Sequence, residues 1–248
     1  MTTARLYLFL LCGVLCLSGC ETDRSNSDTP AADTTAAATP DTTPSDSPSS
    51  PDTTAEEGVR VLVLGNSIAA GSGVSEEEAF PAQLQQKIDS LGWDVTVQNA
   101  GVSGETTAGG LRRINWLLEQ PIDVLVLELG GNDGLRGVDL TDTRDNLTAI
   151  IDTTLSRYPD ARVLLAGMRI PPDMGSDYTE RFRDLYPSIA EQYERVTLSP
   201  FILRNVATVD SLMQDDGIHP TAAGHRRVAE NVWDDLRPLL ETLQATDP

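Results

Sequence analysis

Arg60-Val-Leu-Val-Leu64-Gly-Asn-Ser67-Ile-Ala-Ala-Gly71 decides the fold of this chain. Its first half is a short apolar run with no polar alternation, the pattern of a strand covered on both faces. Its second half is a turn of small residues leading into helix-like sequence. The same junction recurs downstream. Val95–Val97, Val124–Leu129, Arg162–Ala166 and Arg195–Leu198 read as further strands. The segments Ala79–Leu91, Ala108–Glu119, Asp142–Arg157, Tyr178–Tyr193 and Thr221 to about Leu240 read as helices. Five strand-then-helix units predict an α/β protein of three layers, α/β/α, in which helices cover both faces of a five-stranded parallel sheet. The expected strand order is flavodoxin-like, and no internal repeat is visible.

In such a sheet the loops at the carboxyl ends of the strands share one edge, where ligands bind. Three of these loops carry reactive groups: Gly65-Asn66-Ser67, Gly130-Gly131-Asn132-Asp133 and Asp216-Gly217-Ile218-His219. A hydroxyl, a carboxamide and a carboxylate–imidazole pair are what acyl transfer requires as nucleophile, oxyanion donor, orienter and base. Ser67 alone is a weak signal, because a serine at a strand–helix junction is often a helix cap. Context strengthens it. The chain has two histidines, and only His219 has an aspartate three residues before it. That spacing lets Asp216 accept from Nδ1–H and leaves Nε2 to take a proton. Asp215 is a rival orienter, less well spaced. His225, inside the last helix beside Arg226 and Arg227, reads as a helix-surface or packing residue. Asn132 ends a central strand and can direct its amide at a developing oxyanion, although Asn and Gly also build ordinary turns. After the second strand, Asn99-Ala-Gly-Val-Ser-Gly104-Glu supplies a glycine N–H unobstructed by a side chain, with Ser103 as a competing nucleophile.

These four blocks, in this order, resemble the SGNH (GDSL-type) hydrolases. The resemblance covers nearly the whole domain and implies the SGNH hydrolase fold. It implies Ser67 as nucleophile, His219 as base and Asp216 as its orienter. It also implies an oxyanion hole of the Ser67 and Gly104 backbone N–H groups and the Asn132 side chain. Three stretches, Gly104-Glu-Thr-Thr-Ala-Gly-Gly-Leu-Arg-Arg113, Leu129-Gly-Gly-Asn-Asp-Gly-Leu-Arg-Gly137 and Met168-Arg-Ile-Pro-Pro-Asp-Met-Gly-Ser-Asp-Tyr178, are similar to one branch. That branch holds periplasmic acyl thioesterases, arylesterases and lysophospholipases. One position departs: the first block usually reads Gly-Asp-Ser and here reads Gly-Asn66-Ser. Asparagine still accepts a turn hydrogen bond but brings no charge, so tuned activity is expected. The absence of Gly-x-Ser-x-Gly argues against the α/β-hydrolase nucleophile elbow.

The expected function is hydrolysis of acyl esters or lysophospholipids through an acyl-enzyme, with thioesters chemically accessible. No metal or cofactor is expected, since two histidines without supporting cysteines make a poor zinc set. Met168, Ile170 and Met174, after the fourth strand, together with Ile218, are candidates for an acyl pocket. Two alternatives are a carbohydrate deacetylase on the same fold and a non-catalytic lipid- or glycan-binding surface lipoprotein.

The 248 residues divide further. Residues 1–19 have a short cationic start, a brief apolar stretch and Leu17-Ser-Gly-Cys20, which resembles a bacterial lipobox. It implies cleavage before Cys20, lipidation there, and an exported lipoprotein anchored at the periplasmic face or cell surface. All three cysteines (Cys12, Cys16, Cys20) lie in the first twenty residues, so a mature chain would have no internal disulfide. Residues 20–58 add a linker of Thr, Ser, Pro, Asp and Ala with too little apolar surface to offset ordering entropy, spanning about 35 Å as a flexible coil. Residues 59–245 are the expected catalytic domain, large enough for one core. The net charge is −20, with one lysine against seventeen arginines, which disfavours nucleic acid and suits a salt-rich habitat. Nothing in the sequence demands an oligomer, and monomer is the default.

Overall fold

The computed structural model describes residues 58–246, within one compact unit, Thr53–Pro248. The signal segment, Cys20 and nearly all of the linker lie outside the described residues.

Five parallel strands form a single sheet: β1 (Val59–Gly65), β2 (Val95–Asn99), β3 (Val124–Glu128), β4 (Arg162–Ala166) and β5 (Val196–Ser199). Their spatial order is β2-β1-β3-β4-β5, the flavodoxin-like order expected from the sequence. The middles of the central strands are apolar because both faces are covered: Leu62, Leu64, Leu125, Leu127, Leu164 and Leu165 have no exposed surface. Each such leucine contributes about 1.5–3 kcal/mol relative to exposure.

Among the described residues seven α-helices surround the sheet: α1 (Ser67–Ala70), α2 (Phe80–Ser90), α3 (Thr107–Leu117), α4 (Gly131–Leu135), α5 (Leu140–Arg157), α6 (Ser176–Ala190) and α7 (Ala222–Thr246). Helices α2 and α7 pack together on one face, while α3, α5 and α6 form the other layer. The sequence predicts five of the seven, with ends displaced by a few residues. Asp139 starts α5 two residues early, its carboxylate accepting from Thr141 N–H at 2.8 Å. Thr221 lies outside α7 and caps it, its hydroxyl accepting from Gly224 N–H at 3.2 Å. The two helices that sequence reading leaves as loops, α1 and α4, are single turns, and both stand at the carboxyl edge of the sheet.

Candidate active site

Ser67 opens α1 directly after β1, half buried at the carboxyl edge. Its neighbour Asn66 caps the turn, with Oδ1 accepting from Ile68 N–H at 2.9 Å. Ser67 Oγ lies 2.9 Å from His219 Nε2 and 3.4 Å from Asn66 Oδ1, so the imidazole is the nearer acceptor. On the far side of the ring, Nδ1 is 2.6 Å from Asp216 Oδ2. A carboxylate there fixes the tautomer with its proton on Nδ1 and the lone pair of Nε2 toward the serine.

The loop that carries this pair is built locally. Asp216 Oδ1 accepts from Ile218 N–H at 2.8 Å and from His219 N–H at 3.0 Å. Gly217 turns the chain at φ +65°, and a Met213–Pro220 bridge closes the loop. Gln214 fastens it to the serine turn, donating to Ser72 O and to Pro220 O at 2.8 Å each. Hydrogen bonds from the His219 ring, then from the His219 and Ile218 amides, hold the Asp216 carboxyl down at about 2. Asp215 makes no hydrogen bond to His219 among the described residues.

Gly104 approaches from the loop after β2. Val102 N–H donates to Gly65 O at 3.0 Å and Asn99 Nδ2 to Ala69 O at 2.9 Å, so this loop is laced to the serine turn. Gly104 sits at φ +77°, where a side chain would be strained, and Arg136 donates to its carbonyl at 3.0 Å. Asn132, in α4, donates from Nδ2 to Glu105 O at 2.9 Å. A carboxamide nitrogen carries two hydrogens, so anchoring one aims the other. Arg113 holds the Glu105 side chain, its Nε donating to the two carboxylate oxygens at 2.8 and 3.0 Å. Buried Asp133 fixes α4 to the start of α3, accepting from Thr107 N–H at 2.9 Å and from its hydroxyl at 2.5 Å.

Beside Ser67 and Asn132 opens a cleft of about 390 Å³. Met168, Ile170 and Ile218 line it, joined by Phe201, Leu203 and Met213. Met174 is not among the lining residues and packs against the core. Phe201, Leu203 and Met213 come from the first part of the loop after β5, ahead of the Asp216–His219 block, where no motif marks them in the sequence. Arg169 lies over the Phe201 ring at 4.8 Å.

Two other residues singled out in the sequence lie apart from this arrangement. Ser103 is exposed, its hydroxyl 2.5 Å from that of Ser72, with no imidazole on it. His225 is a packing residue and not a surface one: it is fully buried, and among the described residues neither ring nitrogen has a partner.

A parallel α/β/α sheet with a hydroxyl–imidazole–carboxylate array at its carboxyl edge defines a class, the SGNH-type serine ester hydrolases. The chain belongs to the GDSL-like lipase/acylhydrolase family, whose model matches residues 63–227. It is 43% identical over 181 residues to esterase TesA of Pseudomonas aeruginosa, covering 73% of this chain and 89% of that one. It is 39% identical over 182 residues to thioesterase 1/protease 1/lysophospholipase L1 of Escherichia coli, covering 73% and 84%. A solved structure of the psychrotrophic esterase EstA from Pseudoalteromonas, inhibited by monoethylphosphonate, superposes with a TM-score of 0.68 at 32% identity, covering 73% of this chain and 98% of that one.

Proposed function

We propose that this chain hydrolyses carboxylic esters with an aliphatic acyl group through a Ser67 acyl-enzyme. The observation that carries the reading is the 2.9 Å contact of Ser67 Oγ with His219 Nε2, with Asp216 at 2.6 Å behind the ring. Ser67 attacks the carbonyl carbon as Nε2 takes the hydroxyl proton, leaving a tetrahedral oxyanion and an imidazolium. The Ser67 and Gly104 N–H groups and Asn132 Nδ2 hold the oxyanion; among the described residues neither backbone N–H has a protein acceptor. The oxyanion collapses, the carbon–oxygen bond of the leaving group breaks, and Nε2 returns the proton to the departing alcohol. Water then attacks the acyl-enzyme carbonyl and gives one proton to Nε2; the second oxyanion collapses, the bond from carbon to Ser67 Oγ breaks, and Nε2 returns the proton to Oγ as the acid leaves.

The apolar cleft supports an acyl chain over a sugar, since Met168, Ile170, Phe201, Leu203 and Met213 offer contact surface and few hydrogen-bonding groups. Aryl esters and lysophospholipids are the proposed substrates, and thioesters fit the same chemistry. At the level of the whole chain, the reading is a monomeric exported lipoprotein. Its catalytic domain, residues 59–245, is tethered through lipidated Cys20 and the linker to the cell envelope.

Hydrolysis of p-nitrophenyl esters from acetyl to palmitoyl by the full chain and its Ser67→Ala variant, at low and high salt, tests this. The expected result is a medium-chain optimum that vanishes in the variant. A preference for acetylated sugars over every longer ester would turn the reading to a deacetylase, and inactivity at all lengths and salts to a binding protein.

A further inference from the structure

We propose that Glu128 and Asn66 form a buried donor–acceptor pair that positions the serine turn and leaves the Ser67 N–H as its one free donor. The proposal rests on Ser67 as the nucleophile. Glu128 is the last residue of β3 and stands in register directly beside Gly65, the last residue of β1. It has no exposed surface and does not line the cleft. Its partners are all N–H groups of the serine turn. Oε1 accepts from Asn66 Nδ2 at 2.7 Å, while Oε2 accepts from Asn66 N–H at 3.0 Å and from Ala69 N–H at 3.3 Å.

Asn66 is thereby used at both ends. Its oxygen caps Ile68 N–H and its nitrogen meets Glu128, so the amide orientation is doubly determined. With the Asn66, Ile68 and Ala69 amides all taken, only the Ser67 N–H remains of the four at this helix start. That is the amide an oxyanion needs. The space is built for the carboxylate too: a Cβ on Gly65 would stand 2.6 Å from Glu128 Oε2 and 2.4 Å from Ala69 Cβ.

A buried carboxylate without a cation is expensive for a fold. Burial pushes the Glu128 carboxyl up to about 8, against the pull of its three N–H donors. Joining β1 to β3 does not require it, since their backbones already pair in parallel from Val61 to Gly65. What the Glu128 carboxyl adds is the direction of the turn that carries Ser67.

The pattern of donors and acceptors supplies the test, because it can be reversed. Asn66→Asp restores the usual Gly-Asp-Ser block and sets a carboxyl group against Glu128, where one proton shared between the two keeps a hydrogen bond. Glu128→Gln sets amide nitrogen against amide nitrogen, unless Asn66 flips and abandons Ile68. Together the two substitutions restore every contact: the carboxylate at position 66 accepts from the new amide at 128 and from Ile68 N–H. The amide oxygen at 128 then takes the backbone donors of residues 66 and 69.

Kinetics on a p-nitrophenyl ester, with thermal melts, are measured for the full chain, both single variants and the double variant. Glu128→Gln should lose about ten- to hundredfold in kcat with KM changed less than about threefold, Asn66→Asp should stay within about threefold of wild type, and adding Asn66→Asp to Glu128→Gln should recover most of the loss. A Glu128→Gln variant with wild-type kcat overturns the proposal. So does a double variant that is folded yet no more active than the worse single, or one that does not fold. The Ser67→Ala variant, run alongside, keeps the readings separable: its retaining wild-type activity defeats the nucleophile assignment, whatever the pair does.

Discussion

Replacing Asp216 by Asn should damage catalysis more than replacing it by Ala, although Asn is the closer match in shape. Asp216 has two tasks on two oxygens. Oδ1 shapes the turn through the Ile218 and His219 amides, and Oδ2 receives the His219 ring proton at 2.6 Å. Asp216→Asn keeps the first and inverts the second, presenting an N–H where an acceptor stood. Nδ1 then becomes the acceptor and the ring proton moves to Nε2, facing Ser67 Oγ at 2.9 Å. The base has become a donor. A charge-assisted hydrogen bond contributes about 1.5–3 kcal/mol when dry. Here the Asp216 side chain is 44% exposed and that of His219 24%, so water screens the pair and the lower end applies. Adding the lost stabilisation of the imidazolium gives about 3–4 kcal/mol, or roughly 10²–10³ in kcat, below the ~10⁴ of a buried triad. Asp216→Ala admits water to Nδ1–H and so should lose only about 10- to 100-fold, while melting lower because the turn has lost its acceptor. Steady-state kinetics on p-nitrophenyl butyrate with parallel melts decide the matter. An Asn variant within threefold of wild type, or more active than the Ala variant, refutes the reasoning.

Asn132→Ala should cost about 2.7–4 kcal/mol of transition-state stabilisation, a fall of roughly 10²–10³ in kcat with KM little changed; activity within threefold of wild type would remove Asn132 from the oxyanion hole. Ala207→Phe projects a ring into the cleft that Ala207 lines. Esterase profiles should show kcat/KM for decanoyl and longer esters falling about tenfold while acetyl ester hydrolysis holds, and an unshifted chain-length optimum would place the acyl chain elsewhere. His225 provides a stability test. Burial first, and the His219 charge second, push its imidazole down to about 4. Between pH 6.5 and 4 the unfolded chain therefore binds a proton that the folded one refuses, so stability is full above pH 6.5 and falls by roughly 3 kcal/mol on acidification through that window. His225→Leu should remove that component and, by deleting two unpartnered nitrogens, leave stability at pH 7.5 unchanged or higher by about 1–3 kcal/mol. Denaturant melts across the window with an undiminished acid loss in the variant would contradict this.

The legible parts of the chain were those whose signal is local. Val124 to Leu127 are buried on both faces, and such runs declare central strands without any tertiary information. Asp216 and His219 are three residues apart, so their partnership follows from one turn of chain. The helices α1 and α4 were missed because four or five residues are too few for a period of 3.6 to register. Glu128 was missed for a different reason. Leu127-Glu128-Leu129 reads as a strand with one polar residue, and nothing nearby reveals that its partners lie 59 and 62 residues back in the chain. The role of Asn66 was half visible: turn chemistry predicts its oxygen as a cap, whereas its nitrogen has a use only once β3 lies beside β1. The cleft wall from Phe201 to Met213 was invisible because scattered apolar residues in a loop carry no periodicity.

The central claim, that Ser67 is the nucleophile activated by His219, is tested most directly by titrating the full chain with diethyl p-nitrophenyl phosphate. The expected result is a burst of one equivalent of p-nitrophenolate, complete loss of esterase activity, and a diethylphosphoryl adduct on the peptide containing Ser67, with no burst from Ser67→Ala. No burst from the wild type, or an adduct on Ser103 that persists in the Ser67→Ala variant, would contradict it.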